Sequence, residues 1–222
     1  MVRISWLNRR GETIPANAKP FLIGRIARAW LGLACVVILS VAACSAQAQV
    51  DIFMSVGGTP AAMNANPQNP PKLPGTSTDL QYPKWVQLFS AQMGVGRGIS
   101  LGGGAVTASD PSLSEVTITK LTDNTTPSLY ILACGGTATV TQPIDYVTID
   151  FRKTGSTQAF YRMQLQDVYI SGVSTSGGSD VPSESVSLFF SRITWSYVPF
   201  DQSGKAGSPI TKGWDVVKNA AF

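Results

Sequence analysis

From Val181 to Pro199 the chain reads V-P-S-E-S-V-S-L-F-F-S-R-I-T-W-S-Y-V-P, with apolar and polar residues alternating along most of it. A period of two is that of a strand with one dry face and one wet face. Val186, Leu188 and Phe190 share one parity; beyond Phe190 the parity flips, and Ile193, Trp195 and Tyr197 become the apolar set. A one-residue slip turns every later side chain to the other face, so the flip predicts a bulge or sharp coil near Ser191–Arg192. This run is expected to be the central strand, passing between two sheets of a closed or nearly closed barrel. A second flip supports that architecture: Tyr161, Met163 and Leu165 face inward in the predicted strand Gln158–Ser171, then Val168 and Ile170 take over after Gln166-Asp167.

Four further strands follow from the same pattern. They are Val50–Val56, Lys84–Phe89, Glu115–Lys120 with Val116 and Ile118 inward, and Ile144–Arg152. In the last, Val147, Ile149 and Phe151 form the dry face and Tyr146, Thr148, Asp150 and Arg152 the wet one, where Asp150 and Arg152 are expected to make a weak surface ion pair. Ile210–Val217 reads as a short closing strand. One helix is predicted, T-P-S-L-Y-I-L-A-C-G from Thr126 to Gly135: Thr126 as cap, Pro127 in the first turn, Gly135 at the end, and Leu129, Leu132 and Ala133 as its buried stripe.

Gly57 to Pro83 contains six prolines and reads as a long Pro/Asn-rich surface loop. Ser174 to Ser179 is a Ser/Gly loop. Gly94 to Gly104, G-V-G-R-G-I-S-L-G-G-G, matches neither a P-loop nor a dinucleotide fingerprint, because Ile99 stands where a third glycine is needed, so it reads as a mobile loop.

Composition changes the picture in three places. The net charge of +4 belongs to the N-terminus: residues 1–48 hold six Lys/Arg and one Glu, and the other 174 residues hold eleven Lys/Arg against twelve Asp/Glu. That balance leaves no basic patch for nucleic acid. Histidine is absent, which removes Ser-His-Asp and Cys-His catalysis and His-containing zinc sites. Of three cysteines only Cys134 lies in the body, where a buried small hydrophobe is expected. Asp145 and Asp150 are five apart on a strand and so on opposite faces, unable to form an acid–base pair. No catalytic residue, cofactor or metal is expected.

The N-terminal 48 residues read as an export signal. Six basic residues precede an apolar run from Ala29 to Ala43, too short to span a bilayer comfortably. Ala46-Gln47-Ala48 offers cleavage between Ala48 and Gln49, while Val41-Ala42-Ala43-Cys44 resembles a lipobox with Cys44 acylated. An uncleaved anchor is the third alternative. Membrane attachment is expected only if Cys44 is lipidated. Residues 49–222 then form a single domain.

The order of these pieces is familiar. V-D-I-F-M, a strand running into a Gly-rich loop, E-V-T-I-T-K, T-P-S-L-Y-I-L-A-C-G-G, V-T-I-D-F-R-K-T-G, Y-R-M-Q-L-Q-D-V-Y-I-S-G-V-S-T-S-G-G, E-S-V-S-L-F-F-S-R-I and K-G-W-D-V-V-K-N together resemble Hcp, the tube protein family of bacterial type VI secretion. The resemblance covers roughly Val50 to Asn219. It implies a mainly β fold, a small Greek-key-like barrel of two sheets with one short helix, assembled as a hexameric ring able to stack into a tube. It implies other copies of the chain, spike and sheath components and effector proteins as partners, and secretion from the cell. It also implies a subunit-contact role for Arg97, Gly98, Ile99, Ser100, Leu101, Gly102, Gly103 and Gly104. The leader keeps a second role open, an exported or lipid-anchored oligomeric binding or adhesion module in the periplasm or at the cell surface.

Overall fold

The structure is a computed structural model that describes residues 49–57, 71–136, 142–178 and 180–222. The chain divides into two units, Met1–Gln47 and Ala48–Phe222, and every described residue belongs to the second. Cys44 and Ala48 therefore lie outside the described residues, as does the 58–70 part of the Pro/Asn-rich stretch.

In chain order the elements are β1 (Val50–Val56), β2 (Val86–Leu88), β3 (Ser90–Gln92), β4 (Val95–Gly96), β5 (Ile99–Gly102), β6 (Ala105–Ala108), β7 (Ser112–Leu113), β8 (Val116–Leu121), α1 (Thr126–Ala133), β9 (Ile144–Lys153), β10 (Ala159–Ser176), β11 (Ser183–Phe189), β12 (Arg192–Tyr197), β13 (Ile210–Asp215) and β14 (Ala220–Ala221). The protein is mainly β with one short helix among the described residues, as the alternation predicts.

The spine is β10, 18 residues long. Its first half lies between β9 and β12, in a sheet that continues through β1 and β2 on one side and β13 and β14 on the other; its second half pairs with β11, which leads to β8 and β3. The two predicted parity flips coincide here. Met163 and Leu165 are buried before the flip, Val168 and Ile170 after it, and Asp167 between them takes φ 49°. Opposite, β11 ends at Phe189 and β12 begins at Arg192; the Ser191 amide donates to the Gln166 carbonyl at 3.0 Å and its hydroxyl to Asp167 Oδ2 at 2.5 Å. The stretch expected as one central strand is thus two strands laid along β10. The break lets one long hairpin serve both sheets.

Three expectations are corrected here. The strands do not close into a barrel: among the described residues the ladder is open, running β14-β13-β12-β10-β11-β8-β3 with β9, β1 and β2 branching from β10. Residues 174–176 are strand rather than Ser/Gly loop, because Ser174, Thr175 and Ser176 pair with Ser185, Glu184 and Ser183. In α1, Thr125 and not Thr126 occupies the N-cap, and it makes no capping side-chain bond; the Thr126 hydroxyl is engaged with Asp123 and Glu184 instead. The helix ends as predicted at Gly135, whose amide donates to Leu132 O while the Gly136 amide donates to Ile131 O.

The core lies between the two sheets. Met54, Val147, Ile149, Leu165 and Ile193 meet Val116, Ile118, Val186, Leu188 and Ile170, and Leu129 and Leu132 of α1 close one side. Each fully buried side chain of this kind contributes about 1.5–3 kcal/mol. A helix of eight residues is marginal alone, so this packing holds it in place.

Candidate assembly surface

The segment following β3 packs on the core at its base, through Leu113, and is exposed from Gly94 to Asp110. Gly94 to Ser114, expected as a loop through Gly104, is a β-ribbon. β4 pairs with β7 and β5 with β6; the Gly94 amide donates to Ser114 Oγ at 2.7 Å and the Gly98 amide to Ser109 Oγ at 2.8 Å. At the tip, Gly103 and Gly104 have φ of 60° and 80°, the two consecutive positive values that a two-residue hairpin turn of matching twist requires. Glycine supplies both without strain.

The cross-strand pairs Ile99–Ala108 and Leu101–Val106 place four apolar side chains on one face, with Ser100–Thr107 on the other. Leu101 is 80% exposed, Val106 67% and Ile99 61%. No charged residue occurs from Gly98 to Ser109. A two-stranded ribbon is barely stable alone in water, and an uncharged ribbon with one bare apolar face has little to lose on desolvation. Of the eight residues expected to make subunit contacts, Ile99 to Gly102 form β5, Gly103 and Gly104 the turn, and Arg97 and Gly98 the lead-in; all eight are exposed. The signal for the ribbon was in the sequence: Ile99 and Leu101 mirror Val106 and Ala108 about the paired glycines.

A second surface belongs to the sheet formed by β3, β8, β11 and the end of β10. Its outer face carries Ser90, Gln92, Thr117, Thr119, Ser185 and Ser187 in register, with the Ser90 and Thr119 hydroxyls 2.7 Å apart. It is uncharged and hydroxyl-rich.

The charged residues are mostly turned to structural work. The wet face expected on β9 is covered: residues 71–85 fold over it, and Tyr82 and Trp85 are buried with Phe53 of β1. Tyr82 stacks on Phe53 at 4.6 Å, and Trp85 meets Tyr82 edge-on at 5.0 Å. The later part of the Pro-rich stretch is therefore a packed strap rather than a surface loop; Leu73, which bridges to Val56, is also buried. Gly75 lies so close to the chain that a Cβ there would sit 2.5 Å from the Trp85 carbonyl oxygen.

Asp150 and Arg152 do not pair with each other. Asp150 is fully buried and accepts two bonds from Arg162, at 2.6 and 2.7 Å, and one from the Tyr82 hydroxyl at 3.2 Å. Arg152 lies beside the Phe53 and Tyr82 rings and binds Asp79 and Asp51. Burial, then the charge of Asp150, pushes the Tyr82 hydroxyl well above the ordinary tyrosine range. Hydrogen bonding to Arg152 holds Asp79 below the ordinary carboxylate range.

Cys134, expected buried, is exposed at the C-cap of α1, because the stripe facing the core ends at Leu132 and Ala133. Gln49 leads directly into β1, and its carbonyl accepts the Thr154 amide at 2.8 Å. Among the described residues no His/Cys/Asp/Glu group is arranged to hold a metal ion. No described helix is long and apolar enough to cross a membrane.

Residues 53–197 match the sequence model described as type VI secretion system effector, Hcp. The chain belongs to the Hcp family of type VI secretion. Among solved structures, one described as a type six secretion system protein superposes with a TM-score of 0.66 at 25% identity, covering 78% of this chain and all of that one. Hcp1 from Salmonella typhimurium (TM-score 0.58, 20% identity, 78% of this chain and 99% of that one) and a type VI secretion system effector from Yersinia pestis (0.54, 20%, 74% and 99%) have the same fold. A comparison with curated proteins gave no match.

Proposed function

We propose that this chain is a structural subunit of a type VI secretion tube, which closes into hexameric rings that stack and carry effector proteins. The observation that carries this reading is the ribbon: Ile99, Leu101 and Val106 form an apolar face that its own chain leaves bare. In a ring or stack that face meets a neighbouring copy, and the open strand edges do the same. We assign the channel lining to the uncharged face bearing Thr117, Thr119, Ser185 and Ser187, which offers cargo hydroxyl groups and no charge, with apolar Leu121, Tyr169 and Phe189 exposed at its margins. The work is assembly and passage, with spike and sheath components as further partners, and needs no catalytic residue.

The leader supports a second reading. A chain processed at Ala48–Gln49, or lipidated at Cys44, acts outside the cytoplasm as an exported oligomeric binding or adhesion module. Negative-stain microscopy of the processed protein tests the first reading: six-membered rings support it, and uniformly monomeric particles reject it. Processing that survives Cys44→Ala unchanged excludes the lipid-anchored form of the second.

A further inference from the structure

Beneath α1 lies a charged cluster that neither assembly nor cargo passage uses. Lys120 of β8 and Glu184 of β11 are directly opposed partners, and both side chains are completely buried. Lys120 Nζ is 2.8 Å from Glu184 Oε2 and 2.9 Å from Asp123 Oδ1, so one ammonium faces two carboxylates in a dry interior. It also donates to the Leu121 carbonyl at 2.8 Å and to Thr126 Oγ1 at 3.3 Å. The Thr126 hydroxyl donates to Glu184 Oε2 at 3.0 Å, whereas Glu184 Oε1 is buried without a hydrogen-bond partner. The next inward pair along the same strands is Ile118–Val186, both fully buried. Buried ion pairs carry a desolvation penalty that their attraction barely offsets, and an orphaned carboxylate oxygen deepens it.

We propose that Lys120 and Glu184 are joined by an intramolecular isopeptide bond. Asp123 takes one proton from the Lys120 ammonium and passes it to Glu184 Oε1, so that a free amine faces a neutral carboxyl group and attacks its Cδ. The Nζ–Cδ bond forms while the Thr126 hydroxyl bonds to Oε2. The Cδ–Oε1 bond then breaks, and Oε1 leaves as water with its second proton taken from nitrogen. Ammonium and carboxylate become a neutral amide and one water, Asp123 returns to its starting state, and no other reagent is consumed. The two positions are already opposed across the ladder, so the product needs little backbone movement. The bond removes both buried charges and closes a covalent loop spanning 64 positions, which contains α1, β9 and β10. Proximity of this kind, with water excluded, replaces much of what a separate catalyst supplies.

Mass spectrometry of the whole protein as recovered from cells tests this, read at the peptide level so that leader processing does not matter. The expected result is a peptide pair joined through Lys120 and Glu184, lighter by one water than the two peptides together. Lys120→Arg should give both peptides separately, and Asp123→Asn should lower the linked fraction at least severalfold. Separate full-mass Lys120 and Glu184 peptides from the native protein overturn the proposal, and so does a link to Asp123. The native protein alone decides, so a variant that fails to fold leaves the test intact.

Discussion

Asp79 and Arg152 lie 73 positions apart, yet the Arg152 guanidinium grips the Asp79 carboxylate with Nη1 at 2.9 Å and Nη2 at 2.6 Å. This two-pronged contact fastens the strap of residues 71–85 to the back of β9. Asp79 in turn accepts the Gln81 and Tyr82 amides, which fixes the bend that delivers Tyr82 onto Phe53.

Removing that carboxylate should loosen the strap. Asp79→Ala leaves buried Arg152 with Asp51 alone, and because the Asp79 side chain is one-quarter exposed we expect a loss of about 1–3 kcal/mol, below the full value for a buried pair. Denaturant unfolding gives the number. Loss near zero would mean that the strap is held by its aromatic residues alone.

The same pair sets a pH dependence. Asp79 titrates below its unfolded value, so its contribution is present above about pH 4 and fades as pH falls through the folded-state value. Asp79→Asn should therefore flatten the acid limb of the stability profile while changing its slope near neutrality little. An unchanged acid limb contradicts this.

Tyr82 tests the cover over Asp150. Tyr82→Phe keeps the ring stack and deletes one bond to a buried carboxylate, at about 1.5–3 kcal/mol for a bond to a charged group. Tyr82→Ala opens the aromatic cluster and should cost about 3–5 kcal/mol, as large-to-small changes in packed sites do. If the two variants lose equal stability, the ring packing is not what holds the strap.

Gly75→Ala probes the close approach of the strap's first run to Trp85. The added methyl has no room beside the Trp85 carbonyl, so backbone must move, at about 1–3 kcal/mol. Increased proteolysis within residues 71–85 is the accompanying readout; wild-type resistance and stability would show that the two runs separate freely.

Most of the sheet framework was legible because one face of each strand is apolar. β1 falls at Val50–Val56 as the pattern predicts, and both parity flips are real: at Asp167 the backbone of the unbroken β10 takes a positive φ, and at Ser191 the chain passes from β11 to β12. Illegible features depend on distant segments. Thr148, Asp150 and Arg152 look solvent-facing because alternation shows which side faces the core, but not that residues 71–85 return to cover the other side. Lys120 shares the inward parity of Val116 and Ile118, but nothing local announces its partner Glu184, 64 positions on. In the candidate site, glycines at 94, 96, 98 and 102–104 outweighed the mirrored apolar pairs, so a ribbon read as a loop.

The ribbon is where the functional account is most exposed. Leu101→Ser with Val106→Ser changes positions exposed on the single chain and should leave the subunit folded, with an unchanged far-UV circular dichroism spectrum. The decisive measurement is the solution mass of the processed protein, by light scattering, beside this double variant. A hexamer for the native protein and smaller species for the equally folded variant is the predicted result; a native monomer across the accessible concentrations contradicts the account.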